Sequence, residues 1–417
     1  VIATAPERAR NRDTHYGYRH DSYFYYLTGF AEPEAVLVLV AGDTPRSILF
    51  CREKNEEREI WDGWRHGPDA AREKFGFDEA YIYGELDAKL PELIANQPRL
   101  HYVIGEDAGW DQRMMAALNA VRAQVRAGRR APSELLDIRQ PLDDMRLIKD
   151  LHEQTLMRQA ADISARAHRR AMQATRPGAM EYEIEAEILH EFRRAGSEAP
   201  AYGSIVAGGA NACVLHYVSN DAALRDGDLL LIDAGCELRG YASDITRTWP
   251  VNGRFSAAQR DVYQLVLDAQ DAAFAEVKPG TRFIDYHDAA VKVLAQGLID
   301  LGLLKGTLDD VIEEGDYRRF YMHRTGHWLG MDVHDAGEYR PRGGGPNEWR
   351  PLEPGMVLTV EPGCYIRPAD DVPEAFWNIG IRIEDDVIVT ADGCDIYTAA
   401  APKTIAEVEA VMAEVRG

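Results

Sequence analysis

The sequence is poor in cysteine and contains no long apolar stretch. Its five cysteines are scattered, without a Cys-x-x-Cys pair, which is typical of reduced thiols, so we expect no structural disulfide and a cytoplasmic location. No uninterrupted apolar run approaches the roughly 18 residues of a membrane-spanning helix. The opening stretch, VIATAPERAR, lacks the apolar core of a secretory signal. These features predict a soluble chain.

Basic residues are scarce relative to acidic residues. The 47 Lys and Arg residues face 69 Asp and Glu residues, so the net charge is −22. Such a charge opposes binding to nucleic acid backbones and to anionic membrane surfaces. We therefore expect neither nucleic acid nor a membrane as a partner. The rest of the composition, with 46% hydrophobic and 28% charged residues, is typical of a globular enzyme.

The chain is long enough for two domains, since a single hydrophobic core stops growing at about 250 to 300 residues. The first third alternates β-rich runs, such as AVLVLV and SILF, with helix-like stretches, such as DAKLPELIANQ. This pattern predicts an α/β domain over residues 1–145. After a proline and acidic cluster at PLDDMRLIKD, helical patterns precede β-rich segments twice, which predicts an α+β domain over residues 146–417.

The second domain contains an aspartate in an apolar context. In LLLIDAG, Asp233 ends a run that predicts a covered strand, where an unpaired carboxylate is unfavourable. Asp244 follows in the β-like run YASDITRTW. A hairpin that turns at Leu238 and Arg239 would place the two carboxylates opposite each other, with Cβ atoms about 5 Å apart. Either a cation lies between them, or one aspartate caps the turn while the other pairs with Arg247 or Arg239.

Two glutamates also lie at the ends of β-rich runs. Glu361 follows MVLTV and precedes a Pro-Gly turn, and Glu384 follows the alternating segment NIGIRI. Alternation sets Arg382 and Glu384 on one face, so a surface Arg-Glu pair is the ordinary alternative for Glu384. With the two aspartates, the four carboxylates carry a charge of −4, which two divalent ions would neutralise. Oxygen ligands with at most one imidazole favour Mn, Co, Fe or Zn.

Three histidines lie in the short stretch MHRTGHWLGMDVHD. His323 and His327 have the spacing of a zincin helix, but Arg324 stands where that motif has its general-base glutamate. Gly326 and Gly330 also disfavour a regular helix. We conclude that the stretch is not a zincin motif. For each histidine taken alone, a structural role is the ordinary alternative.

The sequence resembles the metal-dependent aminopeptidase P, creatinase and prolidase family, whose catalytic domain has the pita-bread fold. Five motifs carry the resemblance in the expected order: LLIDAG, SDITRT, HRTGHWLGMDVHD, TVEPGCY and GIRIEDD. It spans essentially the whole chain, and RHDSYFYYLTGFAEPEAVLVL in the first domain is similar to bacterial-type Xaa-Pro aminopeptidases. The resemblance implies an α/β N-terminal domain, an α+β pita-bread catalytic domain and a homo-oligomer, either a dimer or a tetramer.

The resemblance also implies the residues of an active site. Two divalent ions, usually manganese in this family, would be bound by Asp233, Asp244, His327, Glu361 and Glu384, with Asp244 and Glu384 bridging them. The expected substrate-facing and catalytic side chains are His216, His323, His334, Arg382 and Tyr365. Trp61, in EIWDGWRHGPDAA, is expected to line the substrate pocket, although core packing is the ordinary alternative for a single Trp.

The implied reaction is hydrolysis of the N-terminal Xaa-Pro peptide bond of peptides with proline at the second position. A hydroxide shared by the metal ions would attack the carbonyl, His334 would stabilise the oxyanion, and Glu361 would move a proton to the departing nitrogen. One alternative is a prolidase, which cleaves only Xaa-Pro dipeptides. Another is a non-catalytic pita-bread module that binds peptides, although all five ligand positions are filled by suitable residues.

Overall fold

The computed structural model describes residues 1–414 and divides the chain into two compact units, Val1–Asp143 and a larger unit that begins at Asp144. The sequence pattern places a domain boundary near Met145, close to this division. Helix α6, Arg139–Leu147, runs across it.

The N-terminal unit combines short strands with helices of up to four turns. Its strands are β1 Ile2–Ala3, β2 Ala9–Asn11, β3 Thr14–His15, β4 Val36–Val40, β5 Arg46–Cys51, β6 Glu79–Ile82, β7 Arg99–Tyr102 and β8 Glu134–Asp137. Its helices are α1 Ser22–Thr28, α2 Glu56–Asp62, α3 Gly67–Phe75, α4 Leu86–Ile94 and α5 Ala108–Arg122. The main sheet has the order β1-β4-β5-β6, while β7 pairs with β8 and β2 with β3.

Both faces of the main sheet are covered, which explains the continuous apolar run of β4. Successive residues of a strand point to opposite faces. Val36 and Val38 therefore enter a core cluster with side chains of α4 and α5. Leu37 points the other way and packs with Phe24 of α1 and Ala71 of α3. This arrangement is the predicted α/β domain.

The larger unit has long helices and short antiparallel sheets. Its helices are α7 Leu151–Ala174, α8 Glu181–Arg194, α9 Ala257–Glu276, α10 Asp285–Asp300, α11 Leu308–Glu314 and α12 Ile405–Ala413. Its strands are β9 Ala199–Pro200, β10 Ile205–Gly208, β11 Leu229–Asp233, β12 Cys236–Leu238, β13 Tyr241–Ala242, β14 Thr246–Pro250, β15 Val357–Val360, β16 Gly363–Ile366, β17 Ile379–Arg382, β18 Asp385–Val389 and β19 Cys394–Ile396. Helices thus precede strands twice along this unit, as predicted.

Helix α7 begins and ends at residues that the sequence marks clearly. The Asp150 side chain accepts hydrogen bonds from the backbone N–H groups of the first turn, and the Glu153 side chain accepts one from the Asp150 N–H at 2.8 Å. These reciprocal bonds satisfy donors that have no partner within the helix. The helix ends at Ala174, because Pro177 and Gly178 cannot continue it. It packs against α8, and α9 packs against α10.

Strands β11 to β14 form the predicted hairpin, but in a different register. The sequence prediction centres the turn one residue too early and pairs Asp233 with Asp244. In the structure the turn lies at Arg239 and Gly240, with φ of 50° and 79°, and Asp233 pairs with Thr246. Two consecutive left-handed residues give the tight turn whose twist suits a hairpin. The predicted register was therefore wrong by two residues.

The hairpin is interrupted between β13 and β14, and the interruption depends on a glycine. A Cβ added at Gly235 would lie 1.6 Å from the carbonyl oxygen of Ser243, so only glycine permits this approach of the two chains. Asp244 follows Ser243 in the interrupted segment rather than in a strand. The segment turns the Asp244 carboxylate towards Asp233.

The second set of strands brings two further acids to the same place. Strand β15 pairs with β18 so that Val360 lies opposite Asp385. Glu361 and Glu384 are the residues next to this pair, at adjoining strand ends. The Glu384 N–H donates to the Thr246 carbonyl at 3.0 Å, which joins the two sets of strands.

Candidate metal centre

The carboxylates of Asp233 and Asp244 converge despite the changed register. The Tyr202 hydroxyl lies 2.5 Å from Oδ1 of Asp233 and also contacts Oδ1 of Asp244. A hydroxyl carries one proton and cannot donate to both oxygens at once. Two carboxylate oxygens this close must therefore share protons or bind a cation.

Glu384 faces the two aspartates from the other set of strands. Its Oε2 accepts a hydrogen bond of 2.6 Å from the Thr246 hydroxyl, and the residue is 1% exposed. The alternative of a surface Arg-Glu pair is therefore wrong for Glu384. Arg382 pairs instead with Asp233, at 2.7 Å from Nη2 to Oδ2. Arg247, one of the two alternative partners predicted for an aspartate of this pair, is bound to Asp385 instead.

His327 is oriented to act as a ligand. Its Nδ1 lies 2.9 Å from the Trp328 carbonyl, to which it donates, so the lone pair of Nε2 is free to face the acids. Nε2 lies 3.5 Å from Oδ2 of Asp244 and 3.8 Å from Oε1 of Glu361. Ligand atoms of Asp244, His327 and Glu384 all lie within 4.8 Å of one another. A small cation fits among such atoms.

The position of His327 depends on a second close approach of backbone. A Cβ added at Gly326 would lie 2.0 Å from the Thr359 carbonyl oxygen. The Thr359 N–H donates to the His327 carbonyl at 3.0 Å, and the Glu361 N–H donates to the Thr325 carbonyl at 2.8 Å. The histidine stretch is thus held beside β15 by backbone bonds, in an extended rather than helical form, as the two glycines predict.

The carboxylates of this cluster are too close together to be ionised at the same time without added positive charge. Burial, followed by repulsion from neighbouring acids, raises the pKa of Asp244 and Glu384 well above the ordinary values. Burial is also the main cause that raises the pKa of Glu361 to about 7. Burial acts in the same direction on Asp233, but the Arg382 guanidinium and the Tyr202 hydroxyl outweigh it and hold that pKa below its ordinary value.

Four carboxylates and one imidazole therefore fit a pair of divalent cations. Without cations the cluster must keep protons at neutral pH, because one arginine cannot balance four negative charges. Oxygen donors with a single nitrogen are a suitable ligand set for hard or borderline divalent ions. The predicted ligands Asp233, Asp244, His327, Glu361 and Glu384 all line one cavity of about 1000 Å³.

A chain of hydrogen bonds runs through the wall of this cavity. Nη1 of Arg382 donates to the Tyr365 hydroxyl at 2.9 Å, and that hydroxyl lies 2.8 Å from Nε2 of His323. Nδ1 of His323 donates to the Arg324 carbonyl at 2.7 Å, so Tyr365 must donate to Nε2. Burial lowers the pKa of His323 to about 3, which keeps the ring neutral. Both of its ring nitrogens are engaged by protein groups.

The other two predicted histidines are more open to the cavity. His334 and His216 are exposed residues that line it. The His334 ring centre lies 4.2 Å from that of His327. Burial, followed by repulsion from His327 and His216, lowers the pKa of His334. A neutral imidazole at this position can donate one hydrogen bond to a substrate oxygen.

Two predicted substrate contacts, Tyr365 and Trp61, are not among the residues that line this cavity. Tyr365 is 1% exposed and lies behind the cavity wall, where it bonds His323 and Arg382, because β16 directs its side chain inwards. Trp61 lies on α2 of the N-terminal unit and is 80% exposed. The cavity lining, as far as residues 1–414 define it, comes from the larger unit, so the pocket role of Trp61 stays a prediction.

Comparison with known families decides the class of this site. Residues 155–391 match the model of metallopeptidase family M24, and residues 1–102 match that of the aminopeptidase P N-terminal domain. The chain belongs to metallopeptidase family M24. The predicted fold class is thereby confirmed: this M24 metallopeptidase has an N-terminal α/β domain and a pita-bread catalytic domain.

Several relatives of this M24 metallopeptidase are similar over more than nine-tenths of their length. The Xaa-Pro aminopeptidase of Haemophilus influenzae is 48% identical over 97% of this chain and 91% of its own length. That of Escherichia coli is 46% identical over 100% of this chain and 94% of its own length. The solved structure of Pseudomonas aeruginosa aminopeptidase PepP has a TM-score of 0.97 at 52% identity, covering 99% of this chain and 93% of that chain.

Sequence reasoning missed two side chains of the M24 site. Tyr202 contacts both aspartates, and Thr246 supports Glu384. Tyr202 lies in the irregular segment AYGS, where no periodicity shows its direction. Thr246 could have been found from the correct hairpin register, which places it opposite Asp233. In the described part of the chain, no helix is both long and apolar enough to cross a bilayer.

Proposed function

We propose that this M24 metallopeptidase is an Xaa-Pro aminopeptidase that removes the first residue from peptides with proline at the second position. The observation that carries the proposal is the convergence of four carboxylates, from different strands and strand connections, and His327 in one cavity large enough for a peptide. Relatives named Xaa-Pro aminopeptidase, which are 46% and 48% identical to this chain, support the choice of substrate.

The side chains that would hold two divalent ions are those of Asp233, Asp244, His327, Glu361 and Glu384. Manganese is the proposed ion, with zinc, cobalt and iron as alternatives that the same donors accept. Bound divalent ions acidify water, so that hydroxide is available as a nucleophile near neutral pH.

Side chains of the chain itself would carry the proton and hold the substrate. Glu361 accepts the proton of the nucleophile and passes it to the prolyl nitrogen as the peptide bond breaks. His334 donates a hydrogen bond to the carbonyl oxygen as it gains negative charge, and His216 faces the same space. His323, whose two ring nitrogens are engaged, positions the wall together with Arg382 and Tyr365.

Turnover of matched peptides tests this function. We expect release of alanine from Ala-Pro-Ala by the manganese-loaded protein, with little release from the dipeptide Ala-Pro. A prolidase would show the reverse preference, and a non-catalytic binding module would cleave neither peptide. Ala-Ala-Ala is the control for the requirement for proline, and protein stripped with a chelator is the control for the metal.

The proposed setting is the cytoplasm, with the chain as a dimer or tetramer. The five cysteines are all unpaired, and all but Cys394 are buried, which suits a reducing compartment. Light scattering of the purified protein measures the size of the assembly.

A further inference from the structure

Two arginines of the catalytic cavity have no carboxylate partner. Arg324 and Arg340 both line the cavity, and within residues 1–414 no acidic side chain forms a salt bridge with either. Glu338 also lines the cavity and is close to Arg340 in the sequence. Its carboxylate is already paired with Arg342, at 3.2 Å. The charges of Arg324 and Arg340 therefore remain available to a ligand.

Both guanidinium groups are held over one aromatic ring. Their central carbons lie 4.8 Å and 4.7 Å from the centre of the Trp349 ring, for Arg324 and Arg340 respectively. The ring itself is fixed, since it stacks on Phe283 with 6.4 Å between centres and 22° between planes. Stacking on a fixed ring limits the motion of both guanidiniums and leaves their N–H edges free to donate.

The cavity thus has uncompensated charge of both signs. Arg382, the third arginine of its lining, is used by Asp233, so it does not contribute to a free positive region. The acids of the metal centre form the negative region, and Arg324 and Arg340 form a separate positive one. A peptide with a free amine at one end and a carboxylate at the other has complementary charges.

We propose that Arg324 and Arg340, positioned by Trp349, form a subsite for a carboxylate in the part of the peptide that follows the scissile bond. The inference rests on the proposed aminopeptidase function, which places the substrate amine at the metal centre and the leaving peptide away from it. Guanidinium groups suit a carboxylate because they offer two parallel N–H donors. Short peptides with a free C-terminus, and peptides with an acidic side chain near the proline, both present this group.

Matched peptides that differ only in charge test the subsite. We expect kcat/KM to be about 5-fold higher for Ala-Pro-Ala than for Ala-Pro-Ala amide, mainly through KM, since an exposed charge pair contributes a factor of this order. A second pair, Ala-Pro-Glu amide and Ala-Pro-Gln amide, tests the acidic side chain. Preference in the first pair assigns the C-terminal carboxylate as ligand, and preference in the second pair alone assigns the side chain.

Variants then connect the preference to the two arginines. We expect Arg324→Gln and Arg340→Gln each to reduce the acid-over-amide ratio by about 2-fold, and the double variant to bring it close to 1. Arg319→Gln removes one charge outside the cavity, from a pair with Asp371, and should leave the ratio unchanged. Because the arginines are exposed, these variants should fold normally.

The outcomes separate this inference from the proposed function. Cleavage of neither Ala-Pro-Ala nor its amide would contradict the aminopeptidase function itself. Equal rates within both peptide pairs for the wild type, or a preference that the double variant keeps, would overturn the subsite alone. Calorimetric binding of Pro-Ala against Pro-Ala amide gives a second readout, in which the wild type should bind the free acid more tightly and the double variant should not.

Discussion

Arg382 holds Asp233 by a buried ion pair, with Nη2 of the guanidinium 2.7 Å from Oδ2 of the carboxylate. The same guanidinium donates to the Tyr365 hydroxyl at 2.9 Å and to the Thr246 hydroxyl at 3.3 Å. One side chain therefore supports a proposed metal ligand and the two hydroxyls that bond His323 and Glu384. Contact with all three groups at once requires several N–H donors on one planar group, and only the guanidinium of arginine provides them.

Replacement of Arg382 by lysine should keep the charge and lose this geometry. We expect Arg382→Lys to lower kcat/KM for Ala-Pro-Ala by about 10- to 100-fold, as is usual when a group that orients a metal ligand is lost. Arg319→Lys, at an exposed arginine, is the matched control. Metal content and circular dichroism check that the variant binds ions and folds. Activity close to that of the wild type would contradict a role for this geometry.

Two consecutive acids, Glu384 and Asp385, have different environments, and substitutions should distinguish their roles. Glu384→Gln should abolish metal binding and activity while leaving the stability of the metal-free protein nearly unchanged. The reason is that burial, followed by repulsion from neighbouring acids, raises the pKa of Glu384 well above its ordinary value, which favours the protonated, uncharged side chain that glutamine resembles. Metal analysis and urea unfolding in chelator check both parts. A variant that keeps two bound ions would refute the assignment.

Asp385 should show the opposite behaviour. Its Oδ1 lies 2.6 Å from Nη2 of Arg247, and its Oδ2 lies 2.9 Å from Nζ of Lys403. Breaking a buried ion pair leaves uncompensated charge, at a cost of about 3 to 5 kcal/mol. We expect Asp385→Asn to lose unfolding free energy of this order, measured by urea titration, while the folded fraction still binds metal. A loss below about 1 kcal/mol would contradict the argument.

The sequence alone could not distinguish these two acids. Alternation along NIGIRIEDD assumes one regular strand, but the strand ends at Arg382 and another begins at Asp385. The direction of Glu384 is set at this break by its bonds to Thr246, which comes from a distant part of the chain. Tertiary contacts of this kind leave no periodic signal in the sequence.

Other parts of the fold followed from local chemistry. The Asp150 capping box and the Pro177 stop define α7, and the continuous apolar run of β4 is typical of a strand that is covered on both faces. The hairpin was predicted but its register was not, since the turn requires a left-handed Arg239, an unusual conformation for that residue type. The five proposed ligand positions came from family motifs, whereas the contacts of Tyr202 and Thr246 required the three-dimensional structure.

Removal of divalent ions should lower the stability of the catalytic domain. Ions that bind only the folded state stabilise it by about 2.7 kcal/mol at one hundred times the dissociation constant. We expect a chelator to lower Tm and manganese to restore it in a concentration-dependent manner. Asp244→Asn should abolish the response to manganese, because that carboxylate lies among the candidate ligand atoms. A response equal to that of the wild type would exclude Asp244 as a ligand.

His168 contributes a pH dependence that does not require substrate. The ring is fully buried on α7, and its Nε2 lies 3.0 Å from the Ala234 carbonyl, next to Asp233. Burial lowers the pKa of His168 from 6.5 to about 4. Between these two values the unfolded chain binds a proton that the folded protein does not, so stability falls as the pH is lowered through this window.

Replacement of His168 by glutamine should remove this dependence while keeping a donor for the Ala234 carbonyl. The quantity to follow is the unfolding free energy of the wild type minus that of His168→Gln. We expect this difference to fall by about 1 kcal/mol between pH 7.5 and 5.5, and by about 3 kcal/mol in total by pH 4. Urea titrations in chelator measure this difference without a contribution from metal release. Other titrating groups act equally in both proteins and cancel. Parallel stability profiles for the two proteins would show that the buried ring is not what titrates.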